Sequence, residues 1–254
     1  MPNSGNMGDM LIASATMQWF DKNKLEYKRV ARNETPDIFV YGGGGAWTHD
    51  YIEYMGNVMN IMKNAKRVVI LPSSFDNVPE LVKILDERFT VFCRERKSFE
   101  YLNAQKTGAT ILLDNDMAFR MKKMPTNPKM VPSALKKQMK NLKRVAKKLP
   151  KCVNLFRMDV ESTGKHKTDF DLSGAFGWFS PYESRAKIDF AAYQMLNFLM
   201  HFTTVSTDRL HVGIGAMLVG ADVELYDNTY GKISGVYNNS LTEFGNVTLK
   251  QDKE

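Results

Sequence analysis

The chain has 254 residues, of which 43% are hydrophobic and 25% charged, a composition typical of a folded protein of one or two domains. No apolar run reaches the roughly 18–20 residues of a membrane span. The opening MPNSGNMGDM has no secretory-signal pattern, so we expect a cytoplasmic protein. Cys93 and Cys152 lack metal-ligand spacing, which favours reduced thiols.

The net charge of +7 comes from one segment of the chain. Between Met121 and Lys151 there are ten Lys and one Arg and no Asp or Glu; without these eleven, 24 basic residues face 28 acidic ones. The excess is therefore one local stripe and not the charge of a basic protein, and we expect no specific nucleic-acid partner. The stripe 121–151 can bind phosphates or an anionic membrane, or it can be a solvated helix face or a linker.

Short apolar strands alternate with amphipathic helices in the first half of the chain. A helical run over 10–19 follows the turn GNMGD. The predicted strands are Asp37–Tyr41, Lys66–Leu71, Thr90–Arg94 and Ala109–Asp114; the predicted helices cover about 47–59, 78–88 and 96–105. Pro72 is expected to end the second strand. This alternation predicts parallel pairing in an α/β sheet.

A proline-containing, Lys-rich stretch interrupts this rhythm, with a helix expected at about 134–148. The rhythm then resumes with a strand at 151–158, a long loop at 162–182, a helix at 184–202, a strand at 202–205, a helix at 208–219, a strand at 223–226 and a weakly patterned tail at 231–254. We therefore predict two Rossmann-like domains, 1–122 and 151–254, joined by 123–150 and facing a cleft. Ligands of such sheets bind beyond the carboxyl ends of the strands.

Two glycine-containing turns border predicted elements: Gly5–Asp9 precedes the helix at 10–19, and Gly42–Gly45 lies between the strand Asp37–Tyr41 and the helix at about 47–59. Gly5–Asp9 can present backbone N–H groups to an anion or a sugar hydroxyl, with Asp9 as a proton acceptor. It can equally be a capping turn with an acid in the first helical turn. Gly42–Gly45 fails the dinucleotide pattern because Trp47 replaces the third glycine, which disfavours a nicotinamide or ATP site. Its glycines indicate close approach of the backbone to a ligand or to a facing helix.

The stretch Thr207–His211 (TDRLH) places cations where a strand ends and a helix begins. Thr207 or Asp208 can cap this helix, and Arg209 and His211 then lie in its first turn. Cations are unfavourable at a helix N-terminus unless an anion binds there, and a guanidinium suits phosphate or carboxylate. In the alternative interpretation Arg209 pairs with Asp208 or another acid, and His211 is merely exposed.

Two further basic residues are weaker candidates. Arg157 lies near the end of a buried-looking strand and points to a ligand or a buried partner. Lys232, in YGKISG, is typical of a surface turn. His49, His166 and His201 show no ligand spacing, and no acidic or histidine cluster indicates a metal site.

In their order and spacing these motifs resemble the polysaccharide pyruvyl transferase family. The matching pieces are N-x-G-D at Asn6–Asp9, the turn Gly42–Gly45, ILPSS at Ile70–Ser74, RERKSF at Arg94–Phe99, D-R-L-H-x-x-x-G-A at Asp208–Ala216 and G-K-I at Gly231–Ile233. The resemblance implies a two-domain fold similar to GT-B glycosyltransferases. It also implies transfer of a pyruvyl group from phosphoenolpyruvate to a sugar, without a cofactor or metal.

The resemblance also assigns roles to individual residues. His211 and Arg209 would act on and hold phosphoenolpyruvate, with Arg157 and Lys232 binding the same anion. Asp9 would face the acceptor sugar as a base, and the other expected acceptor contacts are Asn6, Gly8, Gly43 and Gly44. If the acceptor is lipid-linked, the stripe 121–151 would hold the enzyme at the inner membrane face.

The chain departs from the family where only Met1–Ser4 precede Gly5, since the family has a strand there, and it is also short. Two other functions compete with this interpretation. A GT-B-like glycosyltransferase would use the glycine turns for a nucleotide-sugar diphosphate. A non-catalytic protein would use the Lys-rich stripe to bind nucleic acid or anionic lipid, with steep salt dependence.

Overall fold

The computed structural model describes residues 6–30, 34–49, 51–124, 133–158, 162–172, 184–227 and 231–251. The chain divides into two compact units: the smaller unit is Trp19–Met117, and the larger unit combines Met1–Gln18 with Ala118–Glu254. The N-terminal helix α1, Met7–Lys22, thus begins in the larger unit. The prediction placed all of residues 1–122 in one domain. In the structure the start of α1 groups with the second half of the chain instead, because it packs with helices from that half.

The smaller unit is a parallel sheet with helices, and its described ranges contain five strands. Its strands are β1 Ile38–Tyr41, β2 Gly44–Thr48, β3 Arg67–Asp76, β4 Phe89–Cys93 and β5 Thr110–Leu113; its helices are α2 Gly56–Asn64, α3 Pro79–Val82 and α4 Arg96–Ala104. The sheet order is β1-β3-β4-β5, and β2 also pairs with β3. Alternate strand residues such as Phe39, Val68 and Val91 form the core with Met62 of α2 and Leu102 of α4, which is the burial that period-two alternation predicts.

Three local predictions in the smaller unit are wrong. Trp47 lies on a strand and not on a helix, and α3 covers only four residues of the helix expected at 78–88. Strand β3 continues past Pro72, because its pairing with β4 shifts register between Ile70 and Ser73. The shift lets the ladder pass a residue that has no N–H to donate.

The larger unit contains a second parallel sheet, with four strands among its described residues. Its strands are β6 Cys152–Asn154, β7 Thr204–Thr207, β8 Asp222–Tyr226 and β9 Val247–Lys250, in this spatial order; its helices after α1 are α5 Ser133–Ala146, α6 Arg185–Leu199, α7 Leu210–Leu218 and α8 Lys232–Val236. Helix α7 packs closely on β8, since a Cβ at Gly213 would lie 2.5 Å from Leu225 Cδ2. The α/β class with parallel sheets is therefore confirmed.

The larger unit also departs from the predictions in three places. Strand β6 ends at Asn154, so Arg157 lies three residues beyond it, and the expected tail contains β9. Helix α5, expected within a connection at 123–150, belongs to the larger unit: Leu142 is buried and Met139 packs on a cluster that includes Met10 of α1. Residues 125–132, and 173–182 of the expected loop, lie outside the described residues.

No helix in the described ranges combines the length and the apolarity that crossing a membrane would require.

Candidate functional site

The candidate site lies at the carboxyl ends of the strands in the sheet of the larger unit, which we call the carboxyl edge of that sheet. Strands β6, β7 and β8 are adjacent and parallel, so their carboxyl ends meet at this edge. Arg157 follows β6, Asp208 and Arg209 follow β7 directly, and Asp227 follows β8. The fold therefore brings together residues that are up to 70 positions apart in the sequence.

Asp208 joins the ends of β6 and β7. It is only 2% exposed, and its Oδ1 accepts a hydrogen bond from the Arg157 backbone N–H at 2.8 Å. Burial raises the pKa of Asp208, while this hydrogen bond and the charges of Arg157 and Arg209 act in the opposite direction. Two cationic side chains therefore act on one buried carboxyl group at this edge.

Arg209 occupies the N-cap position of α7 in an extended conformation. Its backbone N–H donates to Thr207 Oγ1 at 3.1 Å, and Thr207 Oγ1 donates to the Leu155 carbonyl at 2.7 Å. The expectation that Thr207 or Asp208 caps the helix is thus wrong, because both side chains bind β6 or the residues after it. The Arg209 Nη2 lies 3.4 Å from Asp171 Oδ1, so of the alternatives that the sequence left open, the structure shows pairing with another acid.

His211 is the second residue of α7 and packs against the first turn of α1. A Cβ built on Gly8 would lie 2.5 Å from His211 Nδ1 and 2.8 Å from its Cβ, so only glycine fits here without displacing the ring. Asn6 Oδ1 accepts the N–H groups of Gly8 at 3.0 Å and Asp9 at 3.4 Å. The N-x-G-D turn therefore caps α1 and also forms a wall beside His211.

Lys232 begins α8 at the end of β8. Gly231 before it has a left-handed conformation with φ 75°, and Asp227 Oδ1 accepts the Ile233 N–H at 3.1 Å and the Ser234 N–H at 3.4 Å. Lys232 is half-buried. Lys232 therefore lies in the segment that follows β8 and is not on a fully exposed surface turn.

Gly43 and Gly44 lie in the smaller unit and are not grouped with Asn6 and Gly8. Both have positive φ, 83° and 117°. A Cβ at Gly43 would lie 2.8 Å from the Pro72 carbonyl oxygen, so the close approach that its sequence predicted is to β3. This accounts for Gly43 by backbone packing.

The sequence did not predict the contribution of the segment Ser162–Leu172. His166 lies between Phe156 and Tyr226, with ring centroids 4.5 Å away on each side. Asp171 of the same segment pairs with Arg209. A lone histidine and an aspartate in a polar loop carry no local signal, because only the docking of the loop beside β6 brings them to the site.

The part of the chain that the structure describes contains no group of three or more His, Cys, Asp or Glu that could hold a metal ion. The segments that follow β6, β7 and β8 instead carry Arg157, Arg209, His211 and Lys232, with the latter three at the starts of α7 and α8. Such an arrangement suits an anion that carries phosphate or carboxylate. The fold and site thus define an α/β protein with a candidate anion site at the strand ends of a parallel sheet.

The comparisons with known proteins identify the family. The family model described as polysaccharide pyruvyl transferase matches residues 6–221, so the chain belongs to this family and is a transferase that acts on polysaccharide. It is 25% identical to a Bacillus subtilis (strain 168) protein named "Putative pyruvyl transferase EpsO", over 91% of this chain and 80% of that protein.

A crystal structure of the uncharacterised protein KP1_0663 from Klebsiella pneumoniae is also similar to this chain. The two are 29% identical with a TM-score of 0.79, and the match covers 98% of this chain and 90% of the other. The likeness extends over both units of the fold.

Proposed function

We propose that the enzyme transfers a pyruvyl group from phosphoenolpyruvate to hydroxyls of a sugar in a glycan or glycan precursor, forming a cyclic ketal and releasing phosphate. One observation supports the donor assignment: Asp208 Oδ1 binds the Arg157 N–H at 2.8 Å, and Arg209 follows directly at the N-cap of α7, whose second residue is His211. Phosphoenolpyruvate carries two anionic groups, which matches this concentration of positive charge. Lys232 supplies a further cation at the same edge.

The proposed chemistry is addition followed by elimination. His211 donates a proton to the methylene carbon, which becomes a methyl group, and positive charge develops on the neighbouring carbon. A sugar hydroxyl attacks that carbon; the bond to the phosphate oxygen then breaks, and a second hydroxyl closes the ketal. The two hydroxyls release two protons: one restores His211, and the other leaves with phosphate.

The acceptor side of the proposal rests on the N-x-G-D turn. Asp9 lies in the first turn of α1, beside the glycine that packs on His211, and is the proposed base for the attacking hydroxyl. Asn6 and Gly8 are proposed acceptor contacts next to it. We retain a GT-B-like arrangement as part of the proposal, with Gly43 and Gly44 as acceptor contacts from the smaller unit.

Thermal unfolding with candidate donors tests this function. A ligand that binds only the folded state stabilises it by RT ln(1 + [L]/Kd). We expect stabilisation by phosphoenolpyruvate but not by pyruvate, and loss of that stabilisation in Arg209→Ala. Arg209→Lys is expected to raise the KM for phosphoenolpyruvate, because a point charge cannot reproduce the guanidinium fork. Stabilisation by a nucleotide diphosphate alone would instead support the glycosyltransferase alternative.

We also propose that the enzyme is cytoplasmic and contacts the inner membrane face through α5, bringing it to a lipid-linked acceptor. Six basic side chains among the described residues of this helix and the turn after it are exposed: Lys137, Lys140, Lys143, Arg144, Lys147 and Lys148. At 3.6 residues per turn they span an arc of about 140°. The opposite side is buried through Leu142 and Ala146, so contact would be electrostatic and without insertion.

Vesicle co-sedimentation tests this contact. Binding to anionic vesicles is expected to fall when Lys140 and Lys143 are both changed to Glu, and to weaken as salt rises. The matched control changes the exposed Lys83 and Lys106 of the smaller unit to Glu. Equal binding by the two double variants would remove α5 from membrane association.

A further inference from the structure

The segment Ser162–Leu172 is fastened along β6, the edge strand of the described sheet in the larger unit. Asn154 exchanges two hydrogen bonds with Asp169: its N–H donates to Asp169 Oδ2 at 2.8 Å, and its carbonyl accepts the Asp169 N–H at 2.8 Å. Thr168 Oγ1 accepts the Phe156 N–H at 3.1 Å. These bonds satisfy backbone groups that a strand edge would otherwise expose. They also fix the position of the residues that follow.

The fastened segment delivers Asp171 to the Arg209 guanidinium. The two side chains, 38 positions apart in sequence, approach to 3.4 Å and are 26% and 16% exposed. The Arg209 backbone is held separately through its N–H bond to Thr207 Oγ1. Arg209 is therefore constrained at both ends, by a hydroxyl at its backbone and by a carboxylate at its charged group.

We propose that Asp171 is a positioning residue of the donor site, which orients the Arg209 guanidinium for the anion; this rests on the proposed function. An arginine side chain has many rotamers, and a ligand that must order it binds less tightly. An ion pair formed before the ligand arrives removes that cost. The guanidinium carries five N–H donors in one plane, so one plane can serve both Asp171 and an anion.

Two rival roles of Asp171 make different predictions. If Asp171 only holds the segment on β6, its loss would lower stability without a specific effect on donor binding. If its negative charge mainly repels the donor, its neutralisation would strengthen binding. Positioning alone predicts that neutralisation weakens binding of the anion.

Asp169 offers a matched control two residues away in the same segment. Asp169→Asn and Asp171→Asn make the same chemical change, removing a charge and keeping an acceptor oxygen. Their partners differ: Asp169 accepts from a backbone amide, and Asp171 pairs with Arg209. The comparison thus separates the loss of a carboxylate from the loss of contact with Arg209.

The experiment measures phosphate release as a function of phosphoenolpyruvate concentration, together with thermal midpoints with and without phosphoenolpyruvate. Asp171→Asn is expected to raise the KM about tenfold with a smaller change in kcat, because the guanidinium is displaced. Asp169→Asn is expected to change the KM less than about twofold, since it keeps its acceptor for the amide. Asp171→Glu is expected to recover part of the loss.

A double-mutant cycle tests whether Asp171 acts through Arg209. In an Arg209→Lys background, Asp171→Asn is expected to change the KM much less than in the wild type. Equal effects in both backgrounds, a lower KM in Asp171→Asn, or equal KM values for the Asn variants at 169 and 171 would each overturn the positioning role. If phosphoenolpyruvate neither stabilises nor reacts with the wild type, the donor assignment itself falls, and the positioning role with it.

Discussion

Both units place an arginine beyond the carboxyl end of a parallel strand, yet they enclose it differently. Arg94 follows β4, is completely buried and pairs with the equally buried Asp116 at 2.7 Å. Arg209 follows β7, remains 16% exposed and pairs with Asp171 at 3.4 Å. The first arginine is sealed in the protein interior, and the second can reach a ligand from solvent.

The surroundings of Arg94 support a structural role. Its Nε donates to Ser74 Oγ at 2.8 Å, and Ser74 Oγ donates to Glu95 Oε2 at 3.0 Å. Ser98 Oγ bonds to Glu95 and also accepts the Phe75 N–H at 2.6 Å. The RERKSF motif therefore ties β3, β4 and α4 together. The difference teaches that the position of an arginine in the fold does not reveal its role, whereas its enclosure does.

The largest expected effect is on the buried pair of the smaller unit. Asp116→Ala leaves the Arg94 guanidinium buried without its carboxylate and is expected to lower the free energy of unfolding by about 3–5 kcal/mol. Urea denaturation measures this loss. Asp114→Ala, at a half-buried position two residues earlier, is expected to cost below about 1 kcal/mol. Similar losses of unfolding free energy in Asp116→Ala and Asp114→Ala would contradict the structural role of the buried Arg94 pair.

A substitution at the candidate site of the larger unit is expected to lower activity and to leave the free energy of unfolding nearly unchanged. His211→Ala should lower kcat about 10²–10⁴-fold if His211 is the general acid. Steady-state phosphate release measures this. His201→Ala is the control, because His201 lies at the end of α6, with its Nδ1 2.9 Å from the Asn197 carbonyl oxygen. Full activity of His211→Ala would remove this residue from the mechanism.

The close contact between Gly8 and His211 allows a further test of the candidate site. Gly8→Ala should lower kcat/KM about 10–100-fold, because the new methyl group displaces the His211 ring. The free energy of unfolding is expected to change little, since the higher helix propensity of alanine, about 1 kcal/mol, offsets part of the cost of displacing the ring. Gly42→Ala is the control, as nothing lies within 4 Å of a Cβ there. Unchanged activity of Gly8→Ala would show that the exact position of the ring is unimportant.

The smallest expected effect is the pH dependence that Asp208 imparts. Burial raises the pKa of Asp208 in the fold, so the protonated form is favoured there and ionisation costs stability as pH rises. The Asp208→Asn variant has no carboxyl group to ionise at this position, so its stability does not fall with pH for this reason. The melting temperature of the variant minus that of the wild type should therefore increase from pH 4 to pH 7. A decrease would mean that the charges of Arg157 and Arg209 outweigh the burial of Asp208.

Periodicity predicted the regular elements with strong local patterns. The strands near 37–41, 90–94 and 223–226 and the helices near 96–105 and 184–202 are confirmed, because alternation and helical spacing record burial directly. Strands β2 and β9 were missed, since glycines and polar residues hide their pattern. The passage of β3 through Pro72 was missed because a register shift depends on the neighbouring strand.

The candidate site shows the same division. The motif TDRLH made Arg209 and His211 candidates because cations at a helix N-terminus are unusual. The contact between Gly8 and His211 joins residues 203 positions apart, so no local pattern could predict it. Asp171 and His166 were missed for a similar reason, as they lie in a polar loop whose docking on β6 depends on the backbone of Asn154.

The α/β class, the parallel pairing and the types of residue available for an anion could all be predicted from the sequence, because hydrophobic periodicity and helix-start chemistry are local properties. Which residues meet depends on the folded chain: the start of α1 packs in the larger unit, Gly8 lies against His211, and Asp171 pairs with Arg209. The physical reason is that packing and ion pairing act across space, between segments whose distance no local pattern encodes.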